Sequence, residues 1–183
     1  MNDSQKTRPV GEPDPRGESQ AEAPFKTLVD ELALGFVGNP QAHIDERGRL
    51  KLPAEFRAFV EKKYGAGFKA FYVTSTDGKT GELYPLPEWH EHMAKVLAMP
   101  RMHPSRVKLL ANYTRFGDKA EMDPQGRMLL PEKLREEADL NGDVKVSGEG
   151  ILLRITSVKR LDEAVAADPL NAADFEALAQ FGL

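Results

Sequence analysis

Apolar positions through the middle of the chain alternate over short runs and then shift to helical spacing, and this shift occurs twice. In the first pass, Arg49 to Leu52 alternates charged and apolar side chains as a short strand does. Pro53 then suits the first position of a helix over Ala54–Lys63, where a missing N–H costs nothing, and Gly65 ends that helix. The apolar runs Phe68–Thr74 and Glu82–Leu86 flank Asp77-Gly78, a hairpin signal, and Pro87-Glu88-Trp89 opens a second helix. In the second pass Arg127–Leu130 is the strand, and Pro131 opens a helix over Glu132–Asp139 that stops at Asn141-Gly142. Val144–Ser147 and Ile151–Ile155 flank Gly148-Glu149-Gly150, and Ser157-Val158-Lys159 opens the matching second helix. Each half is turn, strand, helix, hairpin, helix. A linker helix over about His103–Phe116, with Val107, Leu109, Leu110 and Tyr113 as its apolar side, joins the halves.

The residues themselves recur. The segment His43–Arg57 aligns without a gap on Glu121–Arg135 at an offset of 78, with identical residues at six of fifteen positions and apolar character kept at three more. The repeated unit begins with Asp-x-x-Gly, in which the carboxylates of Asp45 and Asp123 can accept from backbone N–H groups two residues on, while Gly48 and Gly126 close the turn at positive φ. Neither half has enough strands to close a sheet, and tandem repeats of this size make poor independent domains. The economical fold is α+β: two repeats interleaved into one pseudo-two-fold β-barrel with helices around it. The expected segments are a disordered arm over 1–34, rich in Pro, then repeats over 35–98 and 118–166 around a linker helix over 99–117. An acidic tail follows over 167–183. From Leu161 onward there are five carboxylates and no Lys or Arg, and Phe175, Leu178 and Ala179 have the spacing of a short helix, a candidate for packing on a neighbour.

Composition narrows the function classes. With 183 residues, 40% hydrophobic and 30% charged, the chain suits a soluble globular protein and is short for a multi-step enzyme. It has no run of eighteen apolar residues and no basic start leading into an apolar stretch, so neither a membrane span nor a secretory signal is expected, and the expected location is the cytoplasm. Without cysteine there is no disulfide, thiolate nucleophile or cysteine-ligated metal. His90 and His92 are two apart on a helix and point away from each other, which speaks against a metal site. No Gly-x-Ser-x-Gly and no phosphate-cradling glycine loop occurs, so no catalytic residue, cofactor or small-molecule substrate is expected.

The repeated Asp-x-x-Gly-Arg-x-x-x-Pro-x-x-x-Arg, together with Glu82-Leu83-Tyr84-Pro85-Leu86-Pro87-Glu88-Trp89 after the first copy, resembles the MraZ family of bacterial transcriptional regulators, within the AbrB/SpoVT-like swapped-hairpin superfamily. The resemblance covers about Gly35 to Ala166 and includes an opening strand at Phe36-Val37-Gly38. It implies a swapped-hairpin barrel and a ring of many subunits. It also implies binding to short direct repeats of double-stranded DNA in the promoter of the division and cell-wall gene cluster that includes the protein's own gene. The expected association is with the nucleoid, and the arginine tied to DNA binding is at Arg49. The second copy has Gln125 where the first has Arg47.

Charge placement adds an asymmetry that the net charge of −4 hides. Residues 43–63 sum to +2, 101–119 to +4 and 121–139 to −3. The first motif is therefore the one expected to face phosphate, with Arg47, Arg49 and Lys51 on one face of a strand as the DNA-binding set. Arg127 in its acidic surroundings is expected to be structural, with Asp45, Gly48, Asp123 and Gly126. Arg57 and Arg135 fit scaffold or subunit contacts, Trp89 a core or interface anchor, and Arg106 and Lys108 a solvated or ring-forming helix face. Two other classes remain: a ring-forming protein-interaction module without DNA binding, and an antitoxin-type partner binder, which the duplicated motif argues against.

Overall fold

The computed structural model describes residues 34–183, so the arm expected over 1–34 lies, but for its last residue, outside the described residues. The first repeat contributes β1 (Gln41–Ile44), β2 (Arg49–Lys51), α1 (Ala54–Tyr64), β3 (Ala70–Thr74), β4 (Gly81–Pro85) and α2 (Leu86–Ala98). The linker helix α3 (Pro104–Phe116) leads to β5 (Asp118–Glu121), β6 (Arg127–Leu129), α4 (Glu132–Glu137), β7 (Gly142–Glu149), β8 (Leu152–Ser157) and α5 (Val158–Ala167). A last helix, α6 (Ala172–Ala179), carries a capping box in which Asn171 and Asp174 satisfy each other's backbone N–H groups.

All eight strands form one antiparallel sheet in the order β5, β3, β4, β8, β7, β1, β2, β6. The second turn ties the two ends together, Asp123 N–H donating to Arg127 O at 2.8 Å, and the sheet curls into a nearly closed barrel. This is the swapped-hairpin arrangement. β1 of the first repeat pairs with β7 of the second, from Gln41 opposite Lys145 to Ile44 opposite Gly142, and β5 of the second pairs with β3 of the first. β1 and β5 are absent from the sequence reading for a physical reason. Asp118–Glu121 has one apolar side chain and Gln41–Ile44 only two, and both become strands because a partner hairpin from the other repeat offers them a free edge. The strand expected at Phe36-Val37-Gly38 reduces to a single bridge between Phe36 and Gly150. The helix expected over Glu132–Asp139 ends at Glu137, since Asp139 adopts a φ of 53° and turns Leu140 fully into the core.

The pseudo-two-fold axis passes through two cross-repeat pairs. Leu50 faces Met128, residues 78 apart like the two motifs, and both are completely buried. On the other side of the barrel Glu82 faces Arg154. These are counterparts under the offset of 72 set by the helix starts Leu86 and Val158, so the same place holds opposite charges in the two copies. Glu82, 3% exposed, lies 3.5 Å from Arg154 Nη1 and also accepts from Thr76 N–H and Tyr84 Oη.

Inside the barrel, Val73, Leu83, Val144, Val146, Leu153 and Ile155 interdigitate with Phe56 and Val60 of α1 and Leu134 of α4. A second apolar cluster lies on the outer face, where Trp89 stacks on Tyr72 at 4.1 Å and meets Tyr113 of α3 edge-on, beside Tyr84 and Leu152. Arg106 donates to Met99 O at the end of α2, so this side chain joins the two helices and is not a solvated one.

His92 Nε2 lies 2.8 Å from Tyr113 Oη within that cluster. Burial, with help from Lys95, holds the imidazole below its ordinary value against the opposing pull of Glu82. A folded-state value depressed below the unfolded value of about 6.5 means that the unfolded chain takes up the proton first. The contribution of His92 is therefore intact above about pH 6.5 and is lost as the pH falls through the folded-state value. Trp89, the single tryptophan, reports on it. A fluorescence titration is expected to show a midpoint below about 6.5, and His92→Gln to abolish it.

Candidate nucleic-acid interface

Each Asp-x-x-Gly turn is organised by its carboxylate. Asp45 Oδ1 accepts from the N–H groups of Arg47 and Arg49, and Oδ2 accepts from Arg49 Nε at 2.8 Å and pairs with Nη2 at 2.7 Å. Asp123 does the same with the N–H groups of Gln125 and Arg127 and with Arg127 Nε. The arginine side chain holds the Asp45 carboxyl below the usual carboxylate range, and the N–H and guanidinium of Arg127 do so for Asp123. Gly48 and Gly126 have φ of 75° and 78°, the left-handed region that a side chain disfavours.

The two turns are locked to each other across the axis. Leu52 N–H donates to Gly126 O and Leu130 N–H to Gly48 O. Arg57 reaches the carbonyl of Pro124 in the opposite turn, while the guanidinium of Arg135 lies over Gly48 so closely that a Cβ there would sit 2.4 Å from it. Arg57 and Arg135 are thus clamps, each from one repeat onto the turn of the other.

Between the turns runs the two-stranded ribbon of β2 and β6, with Arg49 opposite Leu129 and Lys51 opposite Arg127. Leu50 and Met128 point into the barrel, so Arg49, Lys51, Arg127 and Leu129 form its outward face. Arg47 lies in the turn at one end of the ribbon, where the sequence pattern had it on the strand. Its side chain and that of Lys51 are exposed and make no ion pair among the described residues. The sequence reading missed that Lys51 and Arg127 are direct neighbours. The signal was present, because antiparallel pairing across an axis at Leu50 and Met128 opposes 51 with 127.

The two arginines of the ribbon differ in what surrounds them. Arg127 Nη2 donates to Gln125 Oε1 at 3.2 Å, so its guanidinium is engaged by both Asp123 and Gln125. In the first copy that place is held by Arg47, which has no acceptor to offer. Arg49 is therefore held at Nε and Nη2 by Asp45 alone, whereas Arg127 is held at the same two nitrogens by Asp123 and Gln125, and Nη1 has no hydrogen-bond partner among the described residues in either.

Comparison with known proteins agrees with this geometry. A family model described as "MraZ protein, putative antitoxin-like" matches residues 36–112, from the bridge at Phe36 into α3. The protein named transcriptional regulator MraZ from Acidobacterium capsulatum is 42% identical over 148 residues, spanning 81% of this chain and 99% of that relative. This chain belongs to the MraZ family. MraZ relatives of the same printed name from Koribacter versatilis and Desulforamulus reducens are 39% and 33% identical, over 81% and 79% of this chain and 99% and 95% of their own. The MraZ barrel thus accounts for both motif copies and the linker helix as one unit.

The turns supply a test of the MraZ clamp. Gly48→Ala combines a left-handed φ, costing about 1–2 kcal/mol for an L-residue, with displacement of Arg135. At Gly126 a Cβ meets Arg57 only at 3.5 Å, an ordinary contact, so Gly126→Ala carries the backbone cost alone. Urea unfolding is expected to rank Gly48→Ala as the less stable variant, and equal losses would remove Arg135 from the account.

Proposed function

We propose that this chain is a sequence-specific DNA-binding transcriptional regulator whose ribbon of β2 and β6 enters the major groove. Its targets are short direct repeats in the promoter of the division and cell-wall gene cluster that includes its own gene. It binds them as a homo-oligomeric ring and is associated with the nucleoid. The observation that carries the reading is the outward face of the ribbon, where Arg47 and Lys51 are exposed cations and Arg49 is held by Asp45 with one guanidinium edge open. A two-stranded ribbon fits the major groove, and an arginine oriented by a carboxylate can donate to guanine O6 and N7. Arg47 and Lys51 neutralise phosphate on either side and set the register. Support from relatedness comes from the relatives named transcriptional regulator. The roles of Arg47, Arg49 and Lys51 in binding, and of Asp45, Gly48, Asp123, Gly126 and Arg127 in shaping the turns, belong to the same proposal.

Asymmetry between the motifs follows from the surroundings of the two arginines. Arg127, which has Gln125 as a second acceptor and is set in a segment of charge −3, serves the turn, whereas Arg49, beside Arg47 in a segment of charge +2, serves the groove. A ring-forming protein-interaction module without DNA binding is the other reading, and it predicts no salt-dependent affinity for DNA.

Fluorescence anisotropy on the DNA upstream of the protein's own gene, at two salt concentrations, tests the proposal. Arg49→Ala is expected to cost about 1–3 kcal/mol per contacted site and to relax one operator position, with the loss compounded across subunits on adjacent repeats. Lys51→Ala is expected to weaken all sequences evenly and to reduce the salt slope by about one. Arg127→Ala should cost little in binding once its oligomer is shown to be intact. Equal losses for Arg49→Ala and Arg127→Ala would refute the assigned asymmetry.

A further inference from the structure

Among the described residues, the outer face of the second repeat lacks the packing that fills the same face of the first. Under the offset of 72, the counterparts of Tyr84, Trp89 and His92 are Thr156, Leu161 and Ala164, and the counterpart of Leu152 is Thr80. The first set is the seat that Tyr113 of α3 occupies. The second set lines an open groove of about 680 Å³ between α5 and the turn joining β3 to β4. Where Met93 packs against the filled seat, its counterpart Val165 is 64% exposed beside the open one.

The element that would fill the groove is present but not seated. α6 follows α5 through 168–171 just as α3 follows α2 through 99–103. In α3, Tyr113 and Phe116 are buried, whereas Phe175 of α6 is 59% exposed and Phe181 just beyond it 81%. Among the described residues the second repeat therefore carries a groove without a plug and a plug without a groove.

We propose that α6 of one copy of this chain seats Phe175 and Leu178 in the α5 groove of a second copy, an inference that rests on the ring reading above. Charge favours this occupant. From Asp168 to Leu183, the segment that leaves α5 and carries α6, there are three carboxylates, Asp168, Asp174 and Glu176, and no Lys or Arg. The groove is lined by four cations against three carboxylates; Arg154 is already paired with Glu149 and Glu82 and Arg160 donates to Glu137 O, while Asp77 is held by the N–H groups of Lys79 and Thr80. The ammonium groups of Lys79 and Lys159 make no ion pair among the described residues and stand at the groove for an acidic segment. Direction favours it too. A plug that enters the next copy's groove leaves one plug and one groove unused at the ends of the pair. Such a head-to-tail contact propagates and can close into a ring, which a self-complementary face cannot do.

Two variants separate the parts: Phe175→Asp damages the plug, and Ala164→Glu places an anion in the groove at an exposed helical position compatible with folding. In sedimentation velocity the unsubstituted chain is expected to assemble. Each variant alone should need on the order of tenfold or more higher concentration to do so, and should otherwise run as the 20.3 kDa protomer. Mixed in equal amounts, the two variants are expected to form a complex of two, since the intact plug of Ala164→Glu meets the intact groove of Phe175→Asp. Thermal melts that match the unsubstituted chain establish that both are folded. If both variants keep the full assembly, another surface makes the ring and the inference falls while the ring reading stands. Two folded monomeric variants that do not pair on mixing would place α6 on its own barrel and overturn the inference. An unsubstituted chain that stays monomeric would overturn the ring reading together with it.

Discussion

Everything in this barrel depends on strands whose hydrogen-bonding partners belong to the other repeat. β1 has its long ladder on β7 and β5 has its own on β3, so either repeat alone would leave two edges bare and half of the shared core open to water. Backbone polar groups that cannot be paired locally must be paired across the chain or left to solvent. Cross-repeat pairing also decides which side chains share the outward face of the ribbon. The two motifs, 78 residues apart in sequence, become the two strands of one ribbon because the axis runs between Leu50 and Met128.

Within that ribbon, duplication has placed two copies of one turn in different surroundings. The carboxylate of the turn always takes one edge of the arginine that follows. What varies is the residue two places after the aspartate, an amide at Gln125 and a cation at Arg47. The amide adds a second acceptor for its arginine. The cation adds its own charge instead. Exposed ion pairs of this kind contribute little to stability, so the worth of the Asp45 pair lies in orienting the guanidinium.

The helices, the hairpins and the duplicated turn were legible in the sequence because each is written locally, by Pro at helix starts, Gly at positive φ and apolar runs on either side of Asp77-Gly78. β1 and β5 were not, since Asp118–Glu121 is polar at three of four positions and is a strand only by virtue of a neighbour. The pairing of Lys51 with Arg127 was implicit in the repeat, but segment charge sums treat the motifs as separate and cannot register it. Arg57 and Arg135 are legible as helix residues suited to scaffold or subunit contacts, yet their targets lie in the opposite turn, which no local pattern reveals.

The meeting of Glu82 and Arg154 on the axis has a consequence for how such a barrel can be taken apart. A residue on a two-fold axis of a true homodimer faces its own copy. A dimer built from the first half would set Glu82 against Glu82, a like-charged pair shut away from water, and one built from the second would set Arg154 against Arg154, a like-charged pair at a partly exposed position. Two different halves are needed to place acid opposite base at that point, and one chain supplies both. Once the axis position has diverged, neither half can pair with itself without setting like charges face to face.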